Sequence, residues 1–138
     1  MRTIHTDEIE KTVYELARRA CLRLTPACTA ALQKAKDGEE QGSAAAFALD
    51  TVLRNADTAV CENMPVCQDT GYAVILAEIG QDVRIEGKFL GDAVNDAVRR
   101  AYEDFCFRKS ICDPLTRVNT ADNTPAALHT EIVPGNTI

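Results

Sequence analysis

At 138 residues the chain is long enough for one domain with a sizeable core, and an apolar share of 46% excludes wholesale disorder. Fifteen Lys and Arg against 21 Asp and Glu leave a net charge of −6, which disfavours non-specific binding to nucleic acid or to an anionic membrane. No apolar run approaches membrane-spanning length and residues 1–7 have no signal-peptide core, so a cytoplasmic location is expected.

The six cysteines, Cys21, Cys28, Cys61, Cys67, Cys106 and Cys112, then read as reduced thiols or metal ligands and not as a disulfide framework. No pair has C-x-x-C spacing, and His5 and His129 are the only histidines, so a self-contained zinc module ranks low.

In chain order, residues 7 to about 24 form the first expected helix, with Thr6 as cap and Asp7, Glu8 and Glu10 at its positive end. Ile9, Val13, Leu16, Ala20 and Leu24 recur at helical intervals and give it one face to bury, with Cys21 on or beside that face. Thr25-Pro26 restarts the chain as a cap followed by a proline at the first helical position, for a short helix ending at Asp37-Gly38. A third, alanine-rich helix is expected from Ser43 to Val60. Cys28 opens the second helix and Cys61 closes the third. Neither has a partner in sequence that completes a catalytic pair or a familiar metal spacing.

Pro65-Val66-Cys67-Gln68-Asp69-Thr70-Gly71 follows. Proline fixes one dihedral and glycine permits a conformation that other residues resist, so the segment is an ordered turn. Between them stand a thiol able to act as ligand or nucleophile, an amide that donates and accepts, and a carboxylate able to carry a proton. A plain loop with a packed cysteine and a capping aspartate accounts for the same seven residues equally well.

Residues 72–79 are the best strand candidate, Gly80-Gln81-Asp82 the turn after it, and Val83-Arg84-Ile85-Glu86 a second strand. A helix from Asp92 to Phe107 carries Val94, Ala97, Val98, Ala101 and Phe105 on one side, with Asp92 as cap. From Phe105 through Thr120 the cations Arg108, Lys109 and Arg117 oppose only Asp113, a local balance of 3 − 1 = +2 in an acidic protein. A guanidinium there suits a carboxylate, because its planar donors meet both oxygens. As structure alone, a basic helix end simply complements the dipole. The run from Asn119 to Pro125 reads as a loop held by its own short polar side chains, and His129 as a strand residue. The order of elements gives an α+β fold: N-terminal helices followed by a mixed α/β layer, with no internal repeat or linker.

Taken together, PVCQDTG at 65–71, RKSICDPL at 108–115 and NTADNTPAALH at 119–129 resemble the iron–sulfur hydro-lyases that comprise class I fumarases and L-tartrate dehydratase α subunits. The closing TEIVPGNTI resembles the family strand that leads into a glycine-rich continuation. The resemblance implies that residues 1–138 are a truncated N-terminal part of a larger catalytic domain. It also implies a 4Fe–4S cluster held by three cysteines with one iron open to substrate, which acts as a Lewis acid on the substrate hydroxyl and carboxylate. By motif position Cys67 is similar to the first cluster ligand, the other two lying beyond Ile138. Gln68 and Arg108 are similar to substrate-carboxylate contacts, and Asp69 to the residue that assists proton transfer, with Thr70 and the NTADNTPA loop tuning the geometry. The activity implied is reversible hydration of fumarate to malate, with dehydration of L-tartrate to oxaloacetate as the alternative. A β subunit or β-type domain and an oligomeric assembly are the implied partners. From another class, the chain alone is read as an assembly or interaction domain without turnover.

Overall fold

Helices and short strands follow one another along the chain in an order close to the expected one. The computed structural model describes residues 1–138. Strand β1 (Arg2–His5) precedes α1 (Thr6–Leu22), α2 (Pro26–Asp37) and α3 (Ala44–Glu62). Then come β2 (Val74–Gly80), β3 (Val83–Glu86), α4 (Leu90–Asp104) and β4 (Ala127–Val133). The fold class is the mixed α/β arrangement expected, with β1 as an unforeseen addition. Two compact units divide the chain: residues 19–68, and residues 1–18 together with 69–138.

The unit of residues 19–68 is helical, and its helix ends follow capping chemistry. Thr25 sits in extended conformation ahead of Pro26, and its side chain accepts from the Cys28 N–H at 3.2 Å. Ser43 does the same for Ala46 at 3.0 Å, and α3 stops where Asn63 turns left-handed at φ 53°. Lys36 Nζ lies 2.7 Å from Asp50 Oδ1, tying α2 to α3. The chain that leaves α3 is held at Val66. Its N–H donates to the Cys21 carbonyl at 2.9 Å, and its own carbonyl accepts from Asn55 Nδ2 at 2.8 Å. Burial raises the Cys21 thiol above its usual range, which favours the neutral, packed form over a reactive thiolate.

In the other unit, α4 is the buried centre. Ala93, Val94, Ala97, Val98, Ala101 and Tyr102 are all nearly inaccessible, the spacing of one helical face. Ile4, Ile9, Val13 and Phe107 complete the buried apolar side chains of this unit. The sheet topology departs from the simple reading of two consecutive strands. β3 pairs in parallel with β1, Ile4 opposite Ile85, while β2 pairs in parallel with β4, Val74 opposite Ala127. The physical reason lies at Gly80-Gln81-Asp82. Their N–H groups donate to Thr137, Val133 and Gly135 carbonyls at 2.8, 2.8 and 2.9 Å, and the Asp82 carbonyl accepts from Arg2 N–H at 2.8 Å. The turn therefore passes the chain from one sheet to the other and does not close a hairpin.

Two expected caps act differently. Thr6 is the first residue of α1, wholly buried, and its hydroxyl accepts from the Lys88 N–H at 3.1 Å. Gly87, at φ 113°, makes that approach possible, because a side chain there would collide with the Thr6 hydroxyl. Asp92 lies inside the first turn of α4 and not at its cap, so it still faces the positive helix end. The helix stops at Asp104 where Cys106 turns left-handed at φ 53°, and the Phe107 N–H reaches back to the Tyr102 carbonyl at 3.0 Å.

An apolar hollow of about 620 Å³ is lined by α1 residues such as Ile9, Val13 and Leu16 and by β2 residues such as Ile75 and Ala77. None of the residues singled out for chemistry lines it.

Candidate active site

The three motifs meet around Gly71. Phe107 is buried and sets the start of the second one: its ring meets Tyr102 edge-on at 5.4 Å between centroids and lies 5.6 Å from Phe105. From this anchor Arg108 projects into solvent, and its Nη1 lies 3.9 Å from Asp69 Oδ2. Both side chains are more than half exposed, so the pair adds little to stability and is open to a ligand.

The two oxygens of Asp69 have different neighbours. Oδ1 accepts from the Gly71 N–H at 3.2 Å and from the Ser110 hydroxyl at 3.2 Å. Oδ2 faces the Arg108 guanidinium. One oxygen is thus fixed and the other is available to a substrate or a proton.

The backbone around these groups is fastened by polar side chains. Tyr102 Oη donates to the Thr70 and Gly71 carbonyls at 3.3 and 3.1 Å. Thr70 Oγ1 donates to the Arg108 carbonyl at 3.4 Å, and Asn119 Nδ2 to the Lys109 carbonyl at 2.9 Å. Asn123, fully buried, accepts from the Ser110 and Ile111 N–H groups at 2.7 and 3.0 Å and donates to the Gly71 carbonyl at 3.0 Å. The polar loop is held by its own side chains as expected, with Asn119 Oδ1 accepting from Ala121 N–H at 2.7 Å and Asp122 Oδ1 from Thr124 N–H at 3.0 Å, and it also clamps the other two motifs.

Electrostatics around the clamp are local and paired. Lys88 bridges Glu10 at 2.9 Å and Asp96 at 2.8 Å, and Arg99 bridges Asp96 at 2.7 Å and Asp122 at 2.8 Å. For Asp122, burial is the largest single influence and works upward. The Arg99 guanidinium and the Thr124 hydroxyl and N–H together outweigh it and lower the carboxyl to about 2. Asp113, the one acidic residue in the basic segment, is occupied elsewhere. Its Oδ1 accepts from the Thr116 and Leu115 N–H groups and the Thr116 hydroxyl, which lowers its pKa and builds the turn at 113–117. It leaves Arg108 to Asp69.

Cys67 and Gln68 are exposed at the bend that directly precedes Asp69 in the chain. An exposed sulfur can reach a metal, but no group of three or more His, Cys, Asp or Glu side chains in this chain is placed to hold one. The donor set fits one corner of a cluster and not a whole one. Cys61, Cys106 and Cys112 are free thiols that belong to no such group.

Sequence reasoning singled out Asp69 and Arg108, and the fold brings them together. It missed Ser110 as a partner of Asp69, and Tyr102 and Asn123 as the clamps. Ser110 and Asn123 stood inside the matched motifs, which was the available signal. Tyr102 lies inside the expected fourth helix and belongs to none of the three motifs.

Comparison with known proteins bears on the family of the chain. A Geobacillus stearothermophilus protein provisionally named fumarate hydratase class I is 28% identical over 117 residues, covering 85% of this chain and 22% of that protein. A Methanocaldococcus jannaschii protein provisionally named L(+)-tartrate dehydratase subunit alpha is 28% identical over 117 residues, 84% of this chain and 41% of that one. The aerobic class I fumarate hydratase of Escherichia coli K12 is 38% identical over 89 residues, covering 61% and 16%. The chain thus spans less than half the length of these relatives. Residues 10–138 match the sequence profile described as fumarate hydratase (Fumerase), and the chain belongs to that family.

Proposed function

We propose that this chain contributes the Asp69–Arg108 side of the active site of a fumarate hydratase, which interconverts fumarate and malate by adding or removing water. The observation that carries the reading is the meeting of Asp69, Arg108 and Ser110 on loops clamped by Asn123 and Tyr102, within a chain of this family.

Dehydration of malate removes a proton from the carbon beside one carboxylate while hydroxide leaves the neighbouring carbon. Arg108 offers planar paired donors to a substrate carboxylate, and Gln68 adds an amide donor. Asp69 keeps Oδ1 fixed by Gly71 and Ser110 and has Oδ2 available to take up or orient the proton. Cys67 supplies one thiolate to a 4Fe–4S cluster whose other ligands lie outside these 138 residues. When bound, such a cluster offers a Lewis-acidic iron to the hydroxyl and carboxylate. A β subunit or β-type domain supplies further basic residues, and the six unpaired cysteines suit a reducing cytoplasm.

Dehydration of L-tartrate is the second reading, favoured by the relative named as a tartrate dehydratase subunit. Steady-state assays of the anaerobically reconstituted enzyme, with its β portion, on malate, fumarate and tartrate separate the two. Turnover of malate and fumarate is the expected result. Tartrate turnover without either would reject the first reading, and stoichiometric cluster binding with hydration by residues 1–138 alone would reject the shared site.

A further inference from the structure

We infer that Asn123 is a positioning residue for the proton-handling carboxylate, acting through Ser110 and Gly71. The inference rests on the hydration reading for its kinetic part and on geometry alone for the rest.

Asn123 is wholly buried and holds φ at 59°, a left-handed conformation that asparagine tolerates better than most side chains. Its amide has one orientation that satisfies every neighbour. Oδ1 must face the two donors, Ser110 N–H and Ile111 N–H, and Nδ2 must face the Gly71 carbonyl. Ser110 and Gly71 are also the two residues whose hydroxyl and N–H fix Asp69 Oδ1. One side chain therefore holds both supports of the carboxylate while touching neither the carboxylate nor the open space in front of it. A buried amide with all three bonds made is costly to disturb, so the two loops are held at fixed spacing.

The neighbouring residues keep that amide in place. Asp122 accepts from Arg99 and from Thr124 on the far side of the loop, and Thr120 N–H donates to the Ile111 carbonyl at 2.9 Å.

Two variants of the reconstituted enzyme test the assignment. Asn123→Gly suits the positive φ and removes all three bonds, whereas Asn123→Asp keeps the acceptor for Ser110 and Ile111 and loses the donor to Gly71. In Asn123→Gly, amide hydrogen exchange at Ser110 and Ile111 is expected to accelerate about tenfold or more. Its kcat is expected to fall about 10- to 100-fold, with KM within about threefold, because Asp69 is misaimed while Arg108 still binds the diacid. Asn123→Asp should retain amide protection and lose less in kcat, and it carries the test if the glycine variant does not fold.

Unchanged exchange in a folded glycine variant overturns the anchoring. A lowered Tm with kcat per folded enzyme unchanged in both variants overturns the positioning role and leaves only structure. If the wild-type enzyme turns over neither malate, fumarate nor tartrate, the hydration reading fails, and the exchange result by itself decides whether Asn123 is the anchor.

Discussion

Asp69, Arg108 and Cys67 sit close in the logic of the site but differ in how the fold treats them. Arg108 is a side chain in solvent on a rigid backbone, since its carbonyl is held by Thr70 and its neighbour Phe107 is buried. Substituting Arg108→Lys keeps the charge and loses the fork. Catalytic efficiency on the dicarboxylate should fall about 10- to 100-fold, chiefly through KM, as read in steady-state kinetics. Cys67→Ser should remove cluster iron and turnover together, because an alkoxide is not available at neutral pH to replace the thiolate; iron analysis with unchanged content would withdraw Cys67 as a ligand. Asp122 gives a pH prediction. Its folded pKa of about 2 lies below the model-compound value of 3.8, so its ionised form stabilises the fold. That stability is complete above about pH 4 and is lost as pH falls toward 2. It is on the order of 1–2 kcal/mol once solvent screening of the half-exposed Arg99 is allowed for. Asp122→Asn should be less stable at neutral pH and show a flatter acid-unfolding profile below pH 4.

Among the elements, local chemistry that repeats along the chain was readable in advance. Thr25 caps the helix that it was expected to cap, Ser43 stands where the third helix was expected to begin, and the α4 face from Val94 to Ala101 follows a 3.6-residue period. Long-range choices were not readable. Val83–Glu86 alternates like a strand, but alternation does not say which strand it meets, and it meets Arg2–His5 from the other end of the sequence. Four residues at a chain start carry too short a pattern to announce a strand. Thr6 and Asn123 look like ordinary capping and loop residues until the fold brings Lys88 and Gly71 to them. The motifs singled out Asp69 and Arg108, and the fold brings their side chains to 3.9 Å. Gly80 shows what the elements demand of one another: a Cβ at that position would stand 2.5 Å from the Gly135 carbonyl oxygen, which is backbone and cannot swing away. Gly80→Ala should lower stability by about 2 kcal/mol or more in denaturant titrations, with m unchanged.

At the scale of the whole molecule, the acidic balance and the basic patch belong to different levels. A net charge of −6 keeps the chain away from other polyanions, while Arg108 and Lys109 create a small positive locality next to Asp69. The parallel pair of β2 and β4 has a consequence of a different kind. Each strand hydrogen-bonds to one neighbour only, and Val74, Leu76 and Ile132 are exposed on it. Ribbons of that sort recruit further strands from whatever polypeptide is at hand, and in a concentrated preparation the polypeptide at hand is another copy. The apparent molar mass of residues 1–138 from light scattering should therefore rise with concentration, and Leu76→Lys should suppress the rise while leaving Asp69 and Arg108 in place. How a preparation of residues 1–138 behaves at the bench follows from two strands with one paired edge each.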